Sequence, residues 1–212
     1  MEHVQEYPPP VAPSAYQPLA TRVSVIGPEY CYPQPVDLAV VRKVLTISEG
    51  KFAVSDINGN IMFITKGKIF SIHDRSVFVV QSFSDIALFQ IMTVHDRWQV
   101  FRRESTEEKD LIFTVKRSSM IQLKIKLHVF LATNPKENVC DFRVEGSWLE
   151  RSCIIYSGES NTILAQMHKK HSVESVLLGK DKFMVTVYPN VDYAFVVALI
   201  AILDGINHDD DE

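Results

Sequence analysis

Between Tyr193 and Leu203 the chain runs through eleven consecutive apolar residues, Tyr-Ala-Phe-Val-Val-Ala-Leu-Ile-Ala-Ile-Leu, before Asp204 and Gly205. Pro189 and Asn190 supply a stop and an N-cap, Asp192 adds negative charge to the first turn, and Gly205 offers a C-terminal cap. The pattern predicts a helix over about 190–206 with no polar face. Such a helix must be surrounded on every side, by lipid or by protein. A bilayer needs about 20 apolar residues, and a run this short is a core helix. The rest of the chain is therefore expected to enclose it.

From Val36 to Tyr188 the sequence reads as strands and turns. Lys51 to Asp56 and Ile61 to Thr65 flank Ile57-Asn58-Gly59-Asn60, and Asn-Gly at such a position is a strong hairpin signal. Asp56, Asn58 and Asn60 imitate the opening of a calcium loop, but Ile61 and Gly67 stand where that motif needs Gly and Glu. Further strands are expected at Phe70 to His73, Ser76 to Gln81, Ile86 to Val94, Trp98 to Phe101, Leu111 to Lys116, Ile121 to Val129, Asp141 to Val144, Trp148 to Tyr156, Thr162 to Met167, Val173 to Leu178 and Phe183 to Tyr188. In the run from Ile121 to Val129 the odd positions are apolar and the even ones are Gln122, Lys124, Lys126 and His128. A period of two sends the first set inward and the second outward.

About a dozen strands and one apolar helix define a mainly β chain, α+β in its order. Eight strands make a barrel filled by its own side chains, and more leave a space. The helix suits that space, whereas a helix lying on one face of a sandwich would have to be amphipathic.

The first 35 residues hold eight of the ten prolines and read as a flexible Pro-rich arm over 1–30, in which Tyr-Pro-Pro-Pro offers a protein partner a docking segment. The domain proper is expected over 31–207, and 208–212 as an acidic tail. Cys31, Cys140 and Cys153 form neither a metal-ligand spacing nor a disulfide framework. With an N-terminus lacking a signal pattern, they point to a reducing intracellular compartment. A net charge of -4 gives no electrostatic case for general nucleic-acid binding, which needs a strongly basic face where this chain has only local clusters.

Catalytic signals are thin. His73-Asp74-Arg75 and His95-Asp96-Arg97 place His beside Asp, but neighbours on a strand face opposite ways, which favours a salt bridge or turn contact over acid-base work. His168 and His171 alone make a poor metal site. No cofactor is implied. Arg102-Arg103, Lys116-Arg117, Lys124, Lys126, Lys169-Lys170, Lys180 and Lys182 fall at strand ends or on an outward strand face. Two readings stay open for them: an anionic-lipid site centred on Lys116, Arg117, Lys124 and Lys126, and an ordinary charged exterior.

Several segments carry a family resemblance: Tyr32-Pro33, Pro35-Val36-Asp37-Leu38 with Val41-Arg42-Lys43, His95-Asp96-Arg97-Trp98-Gln99-Val100-Phe101, Val115-Lys116-Arg117-Ser118-Ser119, Gly146-Ser147-Trp148-Leu149-Glu150-Arg151-Ser152-Cys153, and Pro189-Asn190-Val191-Asp192-Tyr193-Ala194-Phe195. From about Tyr30 to Asn207 the chain resembles the plant LURP-one-related proteins. That resemblance implies a closed antiparallel barrel of about twelve strands around a central hydrophobic C-terminal helix, similar to the Tubby C-terminal domain and phospholipid scramblases. It also implies a link to plant defence, tethering to membrane phosphoinositides, and a cytoplasmic location with access to the plasma membrane and nucleus. No catalytic motif carries over. The function expected is thus a non-enzymatic binding and regulatory module; scramblase-like phospholipid handling, a protein-interaction scaffold, and an enzyme using His73 or His95 are the competing readings.

Overall fold

Helix α1 (Tyr193–Asp209) forms where the apolar run predicts it, and every residue from 193 to 206 is buried. The computed structural model describes residue 19 and residues 21–42, 50–68, 77–82, 87–94, 97–121, 124–168 and 182–209. Around the helix, among the described residues, stand twelve strands: β1 (Val36–Arg42), β2 (Gly50–Ser55), β3 (Ile61–Lys68), β4 (Val77–Ser82), β5 (Ala87–Val94), β6 (Arg97–Arg102), β7 (Leu111–Ile121), β8 (Lys124–Leu131), β9 (Phe142–Gly146), β10 (Ile154–Ser157), β11 (Ile163–His168) and β12 (Lys182–Val187). Each pairs antiparallel with its neighbour in sequence, and β1 pairs with β12 to close the barrel.

Alternation within the strands builds the wall. Val100, Phe113, Val115, Leu127, Val129, Val144, Val185 and Val187 point inward and are 0–2% exposed. They meet the helix through side-chain contacts that include Phe195 edge-on to Phe113 at 5.2 Å and tilted on Phe142 at 4.9 Å between ring centroids. At the helix start, Tyr193 packs against Tyr30 and Phe63, at 5.4 and 5.9 Å. The lumen of a twelve-stranded barrel is thus filled by protein.

Several expectations are corrected in detail. The N-cap is Asp192, not Asn190: Asp192 Oδ1 accepts the Phe195 N–H at 3.0 Å, and its carbonyl accepts the Val196 N–H. Asn190 instead takes a left-handed φ of 65° in the preceding turn. Gly205 lies inside the helix rather than capping it, so residues 208 and 209, assigned to the acidic tail, have helical backbone. Trp148 to Arg151 form a turn, and only Ile154 onward is strand. That turn begins at Gly146, where φ is 139° and a Cβ would come within 2.5 Å of the Ser152 carbonyl oxygen. Ile121 ends β7 rather than opening β8.

The domain also begins earlier in the chain than expected. Asp192 Oδ2 accepts the N–H groups of Val25, Ile26 and Gly27 at 2.9, 2.7 and 3.0 Å, and Ile26 is part of the core. Residues 21–30 are therefore docked on the helix N-terminus, while 1–18 lie outside the described residues. So do the strands expected at Phe70 to His73 and Val173 to Leu178, and His73, His95 and Asp96. The Asn58-Gly59 hairpin is present between β2 and β3, with Gly59 at φ 85° and the Asp56 carboxylate accepting from the backbone of Asn58 and Asn60 and the Asn60 amide. Those bonds, with the Asn60 side chain foremost, hold the Asp56 carboxyl below its ordinary value.

Candidate functional site

The inward residues of β6 to β10 leave the alternate side chains on the outer surface, and strand register lines these up. Arg97 stands opposite Lys116, Lys116 opposite His128, His128 opposite Arg143, and Arg143 opposite Tyr156. Directly opposed side chains on an antiparallel pair are about 5 Å apart, so this row crosses five strands in roughly 20 Å. Lys126 and Glu145 form a second opposed pair beside it.

Acidic groups are threaded through the row. Glu137, on the β8–β9 connection, bonds Arg97 Nη2 at 2.9 Å and Nη1 at 3.4 Å and forms an ion pair with Lys116. The connection therefore folds back over the outer face of β7 toward β6. The Lys116 ammonium also lies 5.2 Å from the Phe130 ring. Glu145 bonds both Lys126 and Arg143 Nε at 3.1 Å. Arg143 is the most restrained cation: it lies 4.2 Å over the Tyr156 ring and donates to the Gly158 and Ser160 carbonyls at 2.7 and 2.5 Å and to Asn161 Oδ1 at 3.3 Å.

Lys126, His128, Cys140, Arg143, Glu145 and Glu159 line an open cleft of about 310 Å³. Burial pushes the His128 imidazole below its ordinary value, with the Lys126 charge adding to it, so it is neutral at pH 7. Burial alone would raise the Glu145 carboxyl, but Lys126 and Arg143 outweigh it and hold the group ionised. Burial and Glu159 push the Cys140 thiol up. The surface is an array of charge-assisted donors suited to an anion, with a neutral imidazole at its centre.

Of the residues expected to form an anionic-lipid site, Lys116 and Lys126 share the outer face. Arg117 does not. It pairs with the inward-facing Leu127, its guanidinium lies 5.8 Å from the ring of buried Trp98, and its Nε finds no hydrogen-bond partner among the described residues. Consecutive strand residues point to opposite sides, which separates Lys116 from Arg117. Lys124 opens β8 opposite Ile121, and its side chain lies outside the described residues, as do Lys169, Lys170, Lys180 and the Lys182 side chain. Arg102 and Arg103 are exposed at the end of β6 and the turn after it, away from the row. Arg97, Arg143 and Glu137 are the residues sequence reasoning missed. Arg97 was visible as the end of a His-Asp-Arg triplet, and it makes a salt bridge; its place in a row depends on pairing with β7, which no local pattern reveals.

A family model described as LURP-one-related matches residues 36–204, almost the whole barrel and helix. The chain belongs to the LURP-one-related family. It is 53% identical to LURP-one-related 15 of Arabidopsis thaliana over 98% of this chain and 97% of the relative, and 50% identical to LURP-one-related 10 of the same plant over 90% and 100%. A crystal structure of an Arabidopsis thaliana protein matches with a TM-score of 0.70 at 47% identity, covering 87% of this chain and 98% of the other. The LURP-one-related barrel and its C-terminal helix are thus shared with a solved relative. Among the described residues no helix is long and apolar enough to cross a membrane.

Proposed function

We propose that this LURP-one-related protein is a non-enzymatic binding and regulatory module whose outer face at β6 to β9 holds an anionic headgroup, tethering it to membrane phosphoinositides in a role linked to plant defence. One observation carries the reading: Arg97, Lys116 and Arg143 are brought into a single cross-strand row, with Lys126 beside it, on a barrel whose lumen is already filled by α1. A ligand must therefore meet the outside of the wall, and among the described residues this row is where cations gather there. Each charge near an anionic surface contributes about 1 kcal/mol.

Binding of the purified protein to phosphatidylcholine vesicles with and without phosphatidylinositol bisphosphate, across a range of salt, tests this. Replacing Lys116 and Lys126 together by Gln is expected to weaken binding roughly 10- to 30-fold, as two such charges imply, while Lys109→Gln, in the exposed β6–β7 turn, leaves it unchanged. Equal binding by the double variant would remove this face from consideration. Absence of binding by the wild type would leave a protein-interaction scaffold as the leading account. Scramblase-like handling requires α1 to leave the barrel, and the complete burial of residues 193–206 with the Asp192 bonds at its head opposes it. Firm amide protection of α1 with lipid present is the expected result.

A further inference from the structure

Resting on that reading, we infer that Arg97 and Lys116 form a phosphomonoester subsite within the row and that Glu137 is its resting occupant, a carboxylate that only a more highly charged anion displaces. The Glu137 carboxylate sits where a ligand oxygen pair would sit: both Nη atoms of Arg97 reach it from one side and Lys116 from the other. A planar guanidinium fork matches carboxylate and phosphate oxygens alike, and an ammonium adds a point charge to either.

The cations can be reached from solvent with the occupant in place. Arg97 and Lys116 are 41% and 32% exposed while the Glu137 side chain between them is 17% exposed, so an incoming anion meets the cations first and must outcompete a bidentate carboxylate to take its place. Glu137 itself adopts a left-handed φ of 49°, which a non-glycine residue reaches only against a steric cost. Its neighbours Pro135, Lys136, Asn138 and Val139 are exposed. Fixed ends flank this stretch. Asn134 Nδ2 donates to the Val139 carbonyl and to Asp141 Oδ2, and the Glu137 N–H donates to the Asn134 carbonyl at 3.3 Å, so the loop backbone is anchored and the exchange asks only the Glu137 side chain to turn outward.

Charge sets the selectivity. A phosphodiester carries one negative charge, the same as the carboxylate it would replace, and gains nothing from the exchange. A phosphomonoester carries about 1.5 to 2 negative charges at pH 7 and has three acceptor oxygens for the donors of Arg97 and Lys116. Glu137 therefore filters for monoester phosphate, whether on a phosphorylated inositol headgroup or free in solution, against lipids that present only a diester.

The test compares wild type, Glu137→Gln and Glu137→Gly on vesicles of phosphatidylcholine containing phosphatidylinositol bisphosphate or charge-matched phosphatidylserine, with inorganic phosphate as soluble competitor. Removing the carboxylate should raise binding to phosphatidylserine vesicles roughly fivefold or more and raise binding to the bisphosphate less, so that the preference of the wild type shrinks. The glycine variant, which also relieves the backbone, should behave like Gln, and a melting curve confirms that each variant is folded. Competition by inorganic phosphate identifies a free-phosphate site, and its failure against vesicle-bound protein identifies the lipid headgroup; either supports the subsite. Wild-type binding that depends on Lys116 and Lys126 but is untouched in both Glu137 variants would overturn the inference and leave the proposed function standing. Parallel increases on the two vesicle types would overturn the filter, and binding by none of the proteins would overturn both.

Discussion

Asp192 is the residue on which the helix start and the N-terminal segment converge. It is fully buried, and its two oxygens accept four backbone N–H groups, three from residues 25–27 and one from Phe195. Burial pushes its carboxyl up, and the N–H groups, led by Gly27 and Phe195, draw it back. Asp192→Ala would leave four donors, three of them buried, without an acceptor as well as removing a helix cap. The expected loss is on the order of 3–5 kcal/mol in urea unfolding, with amides 23–27 losing hydrogen-exchange protection; Asp192→Asn, which keeps one oxygen, falls between. Cys153 is the counterpart among the thiols. It is 3% exposed and burial pushes it up to about 12 from an ordinary 9, against the opposing charge of Arg151. A group raised on folding stabilises below its unfolded value and costs stability as pH climbs toward the folded one. Stability should therefore decline from about pH 9 upward in the wild type and less in Cys153→Ala, and alkylation of native protein at pH 8 should leave Cys153 unmodified until denaturant is added.

At the scale of elements, α1 has no face it can show to water. Leu199 is 0% exposed and lies midway along it. Leu199→Asp sets an uncompensated charge against the barrel wall at a cost of several kcal/mol, comparable with the stability of a whole domain. Insoluble or unfolded protein is the expected outcome, read by circular dichroism and size exclusion, and a soluble cooperatively folded variant would contradict the enclosed helix. Strand alternation was readable where it was regular: Ile125, Leu127 and Val129 do face inward, and Lys126 and His128 outward. It was not readable around the register shift between Arg117 and Ser119, because a bulge changes which residues share a face without altering composition. The Gly146–Cys153 turn hid for a different reason. Trp148 is 1% exposed and packs edge-on to Phe183 at 5.4 Å, so its apolar pattern is that of a core residue contributed by a turn rather than of a strand.

For the whole molecule, closure joins the two ends of the barrel sequence. β1 pairs with β12 over 36–41 and 182–187, and Val23 N–H and carbonyl bond Asn190 and Asp192 above the helix start. Contacts this far apart in sequence make the fold one cooperative unit and its formation slow. Deleting residues 1–30 removes the donors to Asp192 and the Tyr30 ring from Tyr193, whereas deleting 1–18 touches neither. The longer deletion should lower the melting temperature by several degrees relative to the shorter one, with helix and sheet signals melting together.

The helix and its need for enclosure are legible along the chain, because eleven adjacent apolar side chains leave no orientation that satisfies water. So are most of the strands, since the period of two is a local property of the chain. That residues 21–30 belong to the domain, and that Arg97, Lys116, His128 and Arg143 stand in one row with Glu137 across its end, follows from long-range packing. Hydrogen bonds between residues more than 160 positions apart, and the register between paired strands, exist only once the barrel closes.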